Sequence, residues 1–160
     1  SGPAGKIGII GTEATVASSV YQRRIGELTP EAQVVAKACP LFVPLVEQGM
    51  FEGEIVEKVV ELYLGELRSE RLTSLILGCT HYPVLAPVIA RFLGPEVSIV
   101  ECSTAIAREV DGILDTGRLR AGGAKGPDQF FVTDAPRRFG ALAAQLLGDG
   151  RIEATHLDSF

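Results

Sequence analysis

A thiol, a hydroxyl and an imidazole follow directly after one apolar run of this sequence. Residues 75–78 lead into Cys79, Thr80 and His81, and Pro83 then begins a predicted helix. This order places Cys79 at the end of a buried strand and beside a helix N-terminus. A helix N-terminus and a neighbouring imidazole both favour a thiolate over a thiol. Cys79 is therefore a candidate base or nucleophile, although most free cysteines are simply small buried hydrophobic residues.

Two further side chains carry candidate acid–base groups. Three roles are open to His81: a catalytic acid or base, a metal ligand, or a surface histidine. A metal pair with Cys79 lacks a second pair of ligands at a workable spacing, so we predict no metal site. Glu47 follows a very apolar stretch. It is either a partly buried carboxylate that polarises His81 or binds an ammonium group, or a solvated loop residue.

A second strand end carries threonines in place of the thiol. Residues 6–10 are followed by Gly11, and Thr12 and Thr15 lie at the start of the next helix. Their hydroxyls either cap their own helix or, together with the helix amides, bind a carboxylate. Ligands of open parallel α/β sheets bind at the carboxyl ends of the strands. These threonines and Cys79 are therefore predicted to face the same ligand.

The bulk composition excludes several classes of protein. The 160 residues suit one domain or two small lobes, and a hydrophobic content of 46% is enough for a core. A net charge of −5 with few basic clusters argues against binding to nucleic acid or a membrane surface. Cys39, Cys79 and Cys102 are an odd, widely spaced set, so we expect no disulfide framework and predict that Cys39 and Cys102 are packing residues. Without a membrane span or a signal-peptide pattern, we predict a cytoplasmic protein.

Strand and helix patterns alternate along the chain, which predicts an α/β layered fold with a mainly parallel sheet. Residues 116–127 are predicted to form a mobile polar loop. The predicted strands are 6–10, 33–38, 73–78, 97–101, 129–133 and 152–157. The predicted helices are 12–25 with Thr12 as its cap, 53–69, 84–93, 104–114 and 136–147, with 41–47 as a loop or short helix. The helix 53–69 is predicted to present one broad apolar face, formed by Ile55, Val56, Val59, Val60, Leu62, Tyr63 and Leu67.

Three segments taken together resemble a known enzyme family. They are IGIIGTEATV (7–16), ACPLFVPLVE (38–47) and LGCTHYP (77–83). In this order and at these separations they resemble the glutamate racemases, of the cofactor-independent aspartate/glutamate racemase family. The resemblance covers essentially the whole chain and weakens after about Glu101. The parallel-sheet lobe of this family is therefore the expected fold.

The resemblance implies a reaction and a role for each candidate residue. Family members exchange the α-proton of glutamate, their small-molecule substrate, between two cysteines on opposite faces of the α-carbon, with no cofactor. Cys79 matches the second cysteine, His81 the histidine that assists it, and Glu47 the carboxylate that supports it. The positions that match substrate-binding residues are Thr12, Thr15, Thr80 and His81. The D-glutamate formed feeds peptidoglycan synthesis, and we expect a homodimer for the full-length protein.

Part of the family pattern is absent from this sequence. The family's aspartate–serine motif and its Cys-Asn-Thr segment with the first catalytic cysteine are missing, and neither Cys39 nor Cys102 matches that cysteine. The chain thus resembles a C-terminal portion. Residues 1–100 would form the lobe with the second catalytic cysteine, and residues 101–160 would complete the other, incomplete lobe. We expect the chain alone to be a very poor racemase, with exposed apolar surface and self-association or disorder after about Glu101.

Three other functions stay open on the sequence alone. A natural truncation would bind a carboxylate ligand or a protein partner without turnover. A related racemase would act on another acidic amino acid such as aspartate. A Cys–His hydrolase or transferase would use Cys79 as a covalent nucleophile, although no third, orienting residue is evident.

Overall fold

Strands and helices alternate along the polypeptide. The computed structural model describes residues 5–123, 126–148, 150 and 152–158. The first of two compact units ends at Ile113 and the second begins at Leu114. The strands are β1 (Lys6–Gly11), β2 (Gln33–Ala38), β3 (Leu72–Leu77), β4 (Ser98–Glu101), β5 (Phe130–Val132) and β6 (Ala154–His156). The helices are α1 (Glu13–Ser18), α2 (Val20–Leu28), α3 (Phe42–Glu47), α4 (Glu54–Ser69), α5 (Ala86–Leu93), α6 (Cys102–Thr116) and α7 (Pro136–Leu147), with a 3₁₀ turn at Tyr82–Leu85.

A four-stranded parallel sheet with the order β2-β1-β3-β4 organises the first unit. The central strand β1 pairs on both sides, with Ile9 opposite Ala36 of β2 and opposite Ile76 of β3. Ile9 and Ile10 are both buried, as expected for a strand covered on its two faces. The predicted α/β fold with a parallel sheet is confirmed. The predicted division into lobes 1–100 and 101–160 concerns a longer enzyme and stays a prediction.

Helix α4 contributes a narrower apolar face to the core than the sequence pattern indicates. Its buried residues are Val56, Val60, Leu64 and Leu67. They share a core cluster with Ile10, Leu75 and Leu77 of the sheet. Ile55 and Leu62, which the pattern assigns to the same face, are exposed. Each helical residue advances by about 100°, so these two side chains point away from the stripe that meets the core.

Two predicted helices contain a break that the sequence pattern does not show. The predicted helix 12–25 is divided at Ser19, whose left-handed backbone (φ 52°) ends α1 before α2 begins. The predicted helix 84–93 begins instead as the 3₁₀ turn and becomes α-helical only from Ala86. Pro87 lacks the N–H that would continue an α-helical ladder back into this turn, so the two segments stay distinct.

The second unit contains a small parallel pair of strands, β5 and β6, with helix α7. The rings of Phe130 and Phe139 lie 6.0 Å apart and join β5 to α7. The predicted strand 152–157 is shortened to Ala154–His156. The predicted mobile loop 116–127 includes residues 124 and 125, which lie outside the described residues. None of the described helices combines the length and the hydropathy that a membrane span requires.

Helix α6 exposes apolar side chains, as expected for the segment after Glu101. It has no buried residue, and Ile106, Val110 and Ile113 are 62%, 48% and 51% exposed. Their spacing of four and three residues places them on one side of the helix. Self-association through this surface stays a prediction.

Gly78 allows β3 to end in close contact with its neighbours. Its N–H donates to the carbonyl of Ile10 at 2.8 Å. A Cβ at this position would lie 3.0 Å from that carbonyl oxygen and 3.1 Å from the Tyr21 ring. Since the Ile10 carbonyl belongs to the central strand, it cannot move aside without disturbing the sheet.

We therefore expect Gly78→Ala to lower the free energy of unfolding by about 1–3 kcal/mol, measured by urea denaturation. The matched control is Gly65→Ala, at an exposed position of α4 where a Cβ meets nothing within 4 Å. This control is expected to raise the free energy of unfolding by about 0.5–1 kcal/mol through helix propensity. Equal effects of the two substitutions would contradict the close contact at Gly78.

Candidate active site

The carboxyl ends of β2, β1 and β3 lie side by side at one edge of the sheet. β1 leads into Thr12 and Thr15, and β3 leads into the segment that begins with Cys79. β2 leads into α3, whose last residue is Glu47. The candidate residues therefore all follow the same edge of one sheet, although they are separated by up to 69 positions (12 to 81) in the sequence.

The imidazole of His81 lies between a thiol and a carboxylate. Its Nδ1 is 3.9 Å from Sγ of Cys79, and its Nε2 is 3.5 Å from Oε1 of Glu47. A protonated imidazole donates from both nitrogens. A carboxylate on one side and a thiolate on the other therefore stabilise the same charged form. The side chains of His81 and Glu47 are 33% and 44% exposed, so their attraction is on the order of 1 kcal/mol or less.

Thr80 and the two threonines of the first strand end add hydroxyl groups at this edge. Oγ1 of Thr80 is 3.4 Å from Nδ1 of His81. Oγ1 of Thr12 accepts the N–H of Thr15 at 3.2 Å, and the two hydroxyl oxygens are 2.9 Å apart. The capping role of Thr12 is thus confirmed. A hydroxyl oxygen has two lone pairs and one proton, so capping leaves Thr12 able to contact a ligand as well.

Backbone hydrogen bonds join the three strand ends. The N–H of Cys39 donates to the carbonyl of Gly11 at 2.9 Å, which joins β2 to β1. The N–H of Gly78 donates to the carbonyl of Ile10, which joins β3 to β1. The first residues beyond each strand are consequently held by the sheet itself.

Tyr82 is fully buried beneath this edge. Its hydroxyl donates to the carbonyl of Cys39 at 2.8 Å, and its N–H donates to the carbonyl of Cys79 at 3.2 Å. Its ring meets that of Phe42 edge to face, with centroids 5.2 Å apart. Burial raises the pKa of Tyr82, so the hydroxyl remains a proton donor at neutral pH.

A cavity of about 490 Å³ opens beside Cys79. Tyr21, Thr80, Cys102 and Ile106 contribute to its lining. Oη of Tyr21 lies 3.6 Å from Sγ of Cys102. This contact, followed by burial, raises the pKa of Tyr21. The phenol therefore stays neutral and leaves the cavity without an added negative charge.

The other two cysteines have different surroundings. Cys39 is fully buried, and burial raises the pKa of its thiol to about 12. It stays protonated at neutral pH and cannot serve as a base. Cys102 is partly exposed and lies 3.9 Å from the carbonyl of Leu77, to which its thiol donates. The prediction that Cys39 is a packing residue is confirmed, whereas Cys102 also lines the cavity beside Cys79.

The arrangement is suited to proton transfer. A thiol that exchanges a proton with substrate needs a neighbouring group that stabilises its thiolate, and His81 occupies that position with Glu47 behind it. Among the described residues, no group of three or more His, Cys, Asp or Glu side chains lies together as metal ligands would. His156 lies in the second unit, where its Nε2 is 3.1 Å from the carbonyl oxygen of Thr133.

Sequence reasoning missed three residues around the site. Tyr82 and Phe42 lie in the recognised segments but were assigned no role, and Tyr21 was not singled out. No local pattern distinguishes a buried tyrosine that bridges two strand ends from an ordinary core aromatic residue. The position of Cys102 carried a usable signal, because it directly follows β4, the neighbour of β3. The rule that ligands bind at strand ends applies to it as well.

Similarity to known proteins covers almost the whole chain. No protein-family model matches it. Over 145 residues, 90% of the chain, it is 42% identical to the glutamate racemase of Geobacter metallireducens. The glutamate racemase of Francisella tularensis, solved in complex with D-glutamate, superimposes on 98% of the chain with a TM-score of 0.83 and 31% identity. A glutamate racemase isoform of Bacillus anthracis superimposes on 96% with a TM-score of 0.86 and 33% identity.

The chain is homologous to the glutamate racemases. The resemblance inferred from the three sequence segments is thereby confirmed. The chain spans 54% of the length of the Geobacter racemase and 57% of each of the two solved racemases. Segments of these racemases thus have no counterpart in the 160 residues.

The buried thiol of Cys39 should make the free energy of unfolding depend on pH. The pKa of an exposed thiol is near 8.5, whereas burial raises the pKa of the Cys39 thiol to about 12. Above about pH 8.5 the thiol ionises in the unfolded chain but not in the folded protein, which favours unfolding. The contribution of this thiol to the free energy of unfolding is therefore fully present below about pH 8.5 and is lost as the pH rises toward 12. Between pH 7.5 and pH 10 it should lower the free energy of unfolding by about 2 kcal/mol.

Cys39→Ala should remove this part of the alkaline loss, whatever its effect on stability at pH 7.5. Urea unfolding at a series of pH values measures it, with Cys102→Ala as the matched control. An unchanged pH dependence in Cys39→Ala would show that the thiol ionises as readily in the folded protein as in the unfolded chain.

Proposed function

We propose that this protein takes part in the racemisation of glutamate. The observation that carries the proposal is the alignment of Cys79, His81 and Glu47 at the sheet edge, in a chain homologous to glutamate racemases. The Francisella structure supports glutamate as the substrate, since that homologue binds D-glutamate. Catalysis would be that of an isomerase that uses side chains alone, without pyridoxal phosphate.

In the proposed reaction, Cys79 exchanges the α-proton on one face of glutamate. Its thiolate removes the proton from the α-carbon, and a second thiol delivers a proton to the opposite face. In the other direction, Cys79 delivers the proton. His81 stabilises the thiolate from 3.9 Å, and Glu47 stabilises the protonated imidazole from 3.5 Å. A positioned general base of this kind contributes roughly 10²–10⁴ in rate.

The threonine hydroxyls would bind the polar groups of the substrate. Thr12, Thr15 and Thr80, with His81, surround the strand ends with donors and acceptors suited to a carboxylate and an ammonium group. Negative charge develops on the α-carbon and its carboxylate as the proton leaves. Hydrogen-bond donors fixed at the carboxylate stabilise that charge. Stabilisation of this kind is usually the largest single contribution to catalysis.

The second thiol would come from outside these 160 residues. Cys39 is buried and protonated. Cys102 follows β4, beside β3 in the sheet, and lines the same cavity as Cys79, so we assign it to the same side of the substrate as Cys79. We propose that the missing thiol belongs to a preceding lobe of a longer racemase, which residues 101–160 help to complete. In that protein, expected to be a cytoplasmic homodimer, D-glutamate would supply peptidoglycan synthesis.

Exchange without inversion is the result expected for the chain alone. Incubated with L- or D-glutamate in heavy water, it should incorporate deuterium only with retention of configuration. One thiol base reaches only one face of the α-carbon. Proton NMR measures the exchange and chiral chromatography the inversion. Fast inversion of configuration by the chain alone would overturn the requirement for an external thiol. If Cys102→Ser then abolished this inversion, Cys102 would be identified as the second base.

Substitution of Cys79 tests its role in the complete two-thiol enzyme. Cys79→Ser should lower kcat by about 10²-fold or more, because a serine hydroxyl is a far weaker acid than a thiol and supplies almost no base near neutral pH. Cys102→Ser is the matched control, a thiol of the same cavity, and should retain kcat within a few-fold. An undiminished kcat in Cys79→Ser would exclude the proposed reaction. A higher kcat/KM for aspartate than for glutamate would replace glutamate by aspartate as the proposed substrate.

A further inference from the structure

The contact between Glu47 and His81 joins two parts of the sheet that are not neighbours. Glu47 follows β2 and His81 follows β3, and β1 lies between these strands. Adjacent strands are about 4.8 Å apart, so the ends of β2 and β3 are separated by about twice that distance. The backbone bonds at the sheet edge reach only from each of them to β1. A direct connection between the two outer segments must come from side chains.

The hydroxyl of Tyr82 makes that connection. Tyr82 directly follows His81, and its N–H is bonded to the carbonyl of Cys79, so its backbone moves with the β3 segment. Its hydroxyl donates to the carbonyl of Cys39, the first residue after β2, at 2.8 Å. Both Tyr82 and Cys39 are fully buried. Water therefore cannot replace this bond. The same carbonyl accepts the N–H of Phe42 at 3.1 Å, so the Tyr82 hydroxyl and the start of α3 meet at one acceptor.

The ring of Tyr82 also fixes the helix that carries Glu47. It packs edge to face against Phe42, the first residue of α3, which is itself fully buried. Phe42 in turn packs edge to face against Tyr63 of α4, with centroids 5.5 Å apart. Glu47 is the last residue of the same short helix. The position of its carboxylate therefore depends on how the first turn of α3 is held.

We propose that Tyr82 is a positioning residue, whose hydroxyl and ring hold α3 against the Cys79–His81 segment and thereby place Glu47 beside His81. The proposal rests on the proposed function, in which Glu47 supports His81 and His81 supports the thiolate of Cys79. Tyr82 does not contact the substrate in this scheme. It acts through the position of Glu47.

The test measures the reactivity of Cys79 in the 160-residue chain and requires no racemase activity. Iodoacetamide reacts with the thiolate, and mass spectrometry of peptides follows Cys79 separately from the other two cysteines. Four proteins are compared at one neutral pH: the unsubstituted chain, Glu47→Gln, Tyr82→Phe and the double variant. This cycle separates a dependence on Glu47 from an independent effect.

Glu47→Gln should slow the alkylation of Cys79 by about two- to five-fold, the range expected for a partly exposed ion pair. Tyr82→Phe should slow it in the same direction. In the double variant, the rate should equal that of Glu47→Gln alone, because the hydroxyl has no further effect once the carboxylate is absent. The matched control is Tyr63→Phe, which removes a hydroxyl from the same aromatic cluster. That hydroxyl accepts the N–H of exposed Leu41, where water can replace it, so no change in rate is expected.

The outcomes separate this proposal from the proposed function. An unchanged rate in Glu47→Gln would remove the supporting role of Glu47. A normal effect of Glu47→Gln with no effect of Tyr82→Phe would overturn the positioning role alone. Effects that multiply in the double variant would also overturn it, since they indicate a general loosening of the fold. Faster alkylation of Cys79 in Tyr82→Phe would overturn the positioning role as well.

Phe42→Leu provides a second test should Tyr82→Phe fold poorly. It keeps the Tyr82 hydroxyl and weakens the packing of the first turn of α3. The proposal expects slower alkylation of Cys79 that again disappears in the Glu47→Gln background. Thermal unfolding of every variant confirms that the rates are compared well below its Tm. A rate for Phe42→Leu equal to that of the unsubstituted chain would contradict the proposal.

Discussion

The parallel pairing of β1 with β2 on one side and β3 on the other is the constraint on which the rest of the site depends. All three strands end at the same edge, so segments far apart in the sequence reach one place. Ile9 and Ile10 of β1 are buried. A slip of one residue would turn each side chain of this strand to the opposite face. The register of β1 thus determines both the core and the positions of Thr12 and Cys79.

The interactions at this edge are individually weak and depend on the rigid frame beneath them. His81 contacts Cys79 and Glu47 at 3.9 and 3.5 Å, in surroundings that solvent reaches. Such contacts contribute little unless the side chains are already held in place. The side chains at this edge are held in place by fully buried residues beneath it, namely Tyr82, Phe42 and Cys39. Beside them, the cavity lined by Cys79 and Ile106 is open, and covering it would exclude water and strengthen the charge interactions within it.

Element types and the parallel sheet could be predicted because they depend on local patterns. Short apolar runs predicted the four strands of the first unit, two of which end in glycine (Gly11 and Gly78). Their alternation with helices predicted parallel pairing. The break before Ala86 carried a local signal, because Pro87 lacks the N–H that would continue the helix into the preceding turn. The break at Ser19 could not be predicted, because a left-handed serine depends on how the two flanking helices pack. The wide apolar face assigned to α4 failed for the same reason, since exposure of Ile55 depends on what lies opposite it.

The sequence by itself determined the chemistry available to this protein: a thiol with an imidazole two residues away, hydroxyls after a second strand, and the resemblance to glutamate racemases. These features lie within short segments, whose local structure follows from their own residues. Only the tertiary structure decided that Glu47 meets His81, that Cys39 is buried with a raised pKa, and that Tyr82 connects the ends of β2 and β3. The contact of Glu47 with His81 and that of Tyr82 with Cys39 each join segments separated by 30 or more positions. Their approach, like the burial of Cys39, is decided by packing of the whole first unit, which no local pattern encodes.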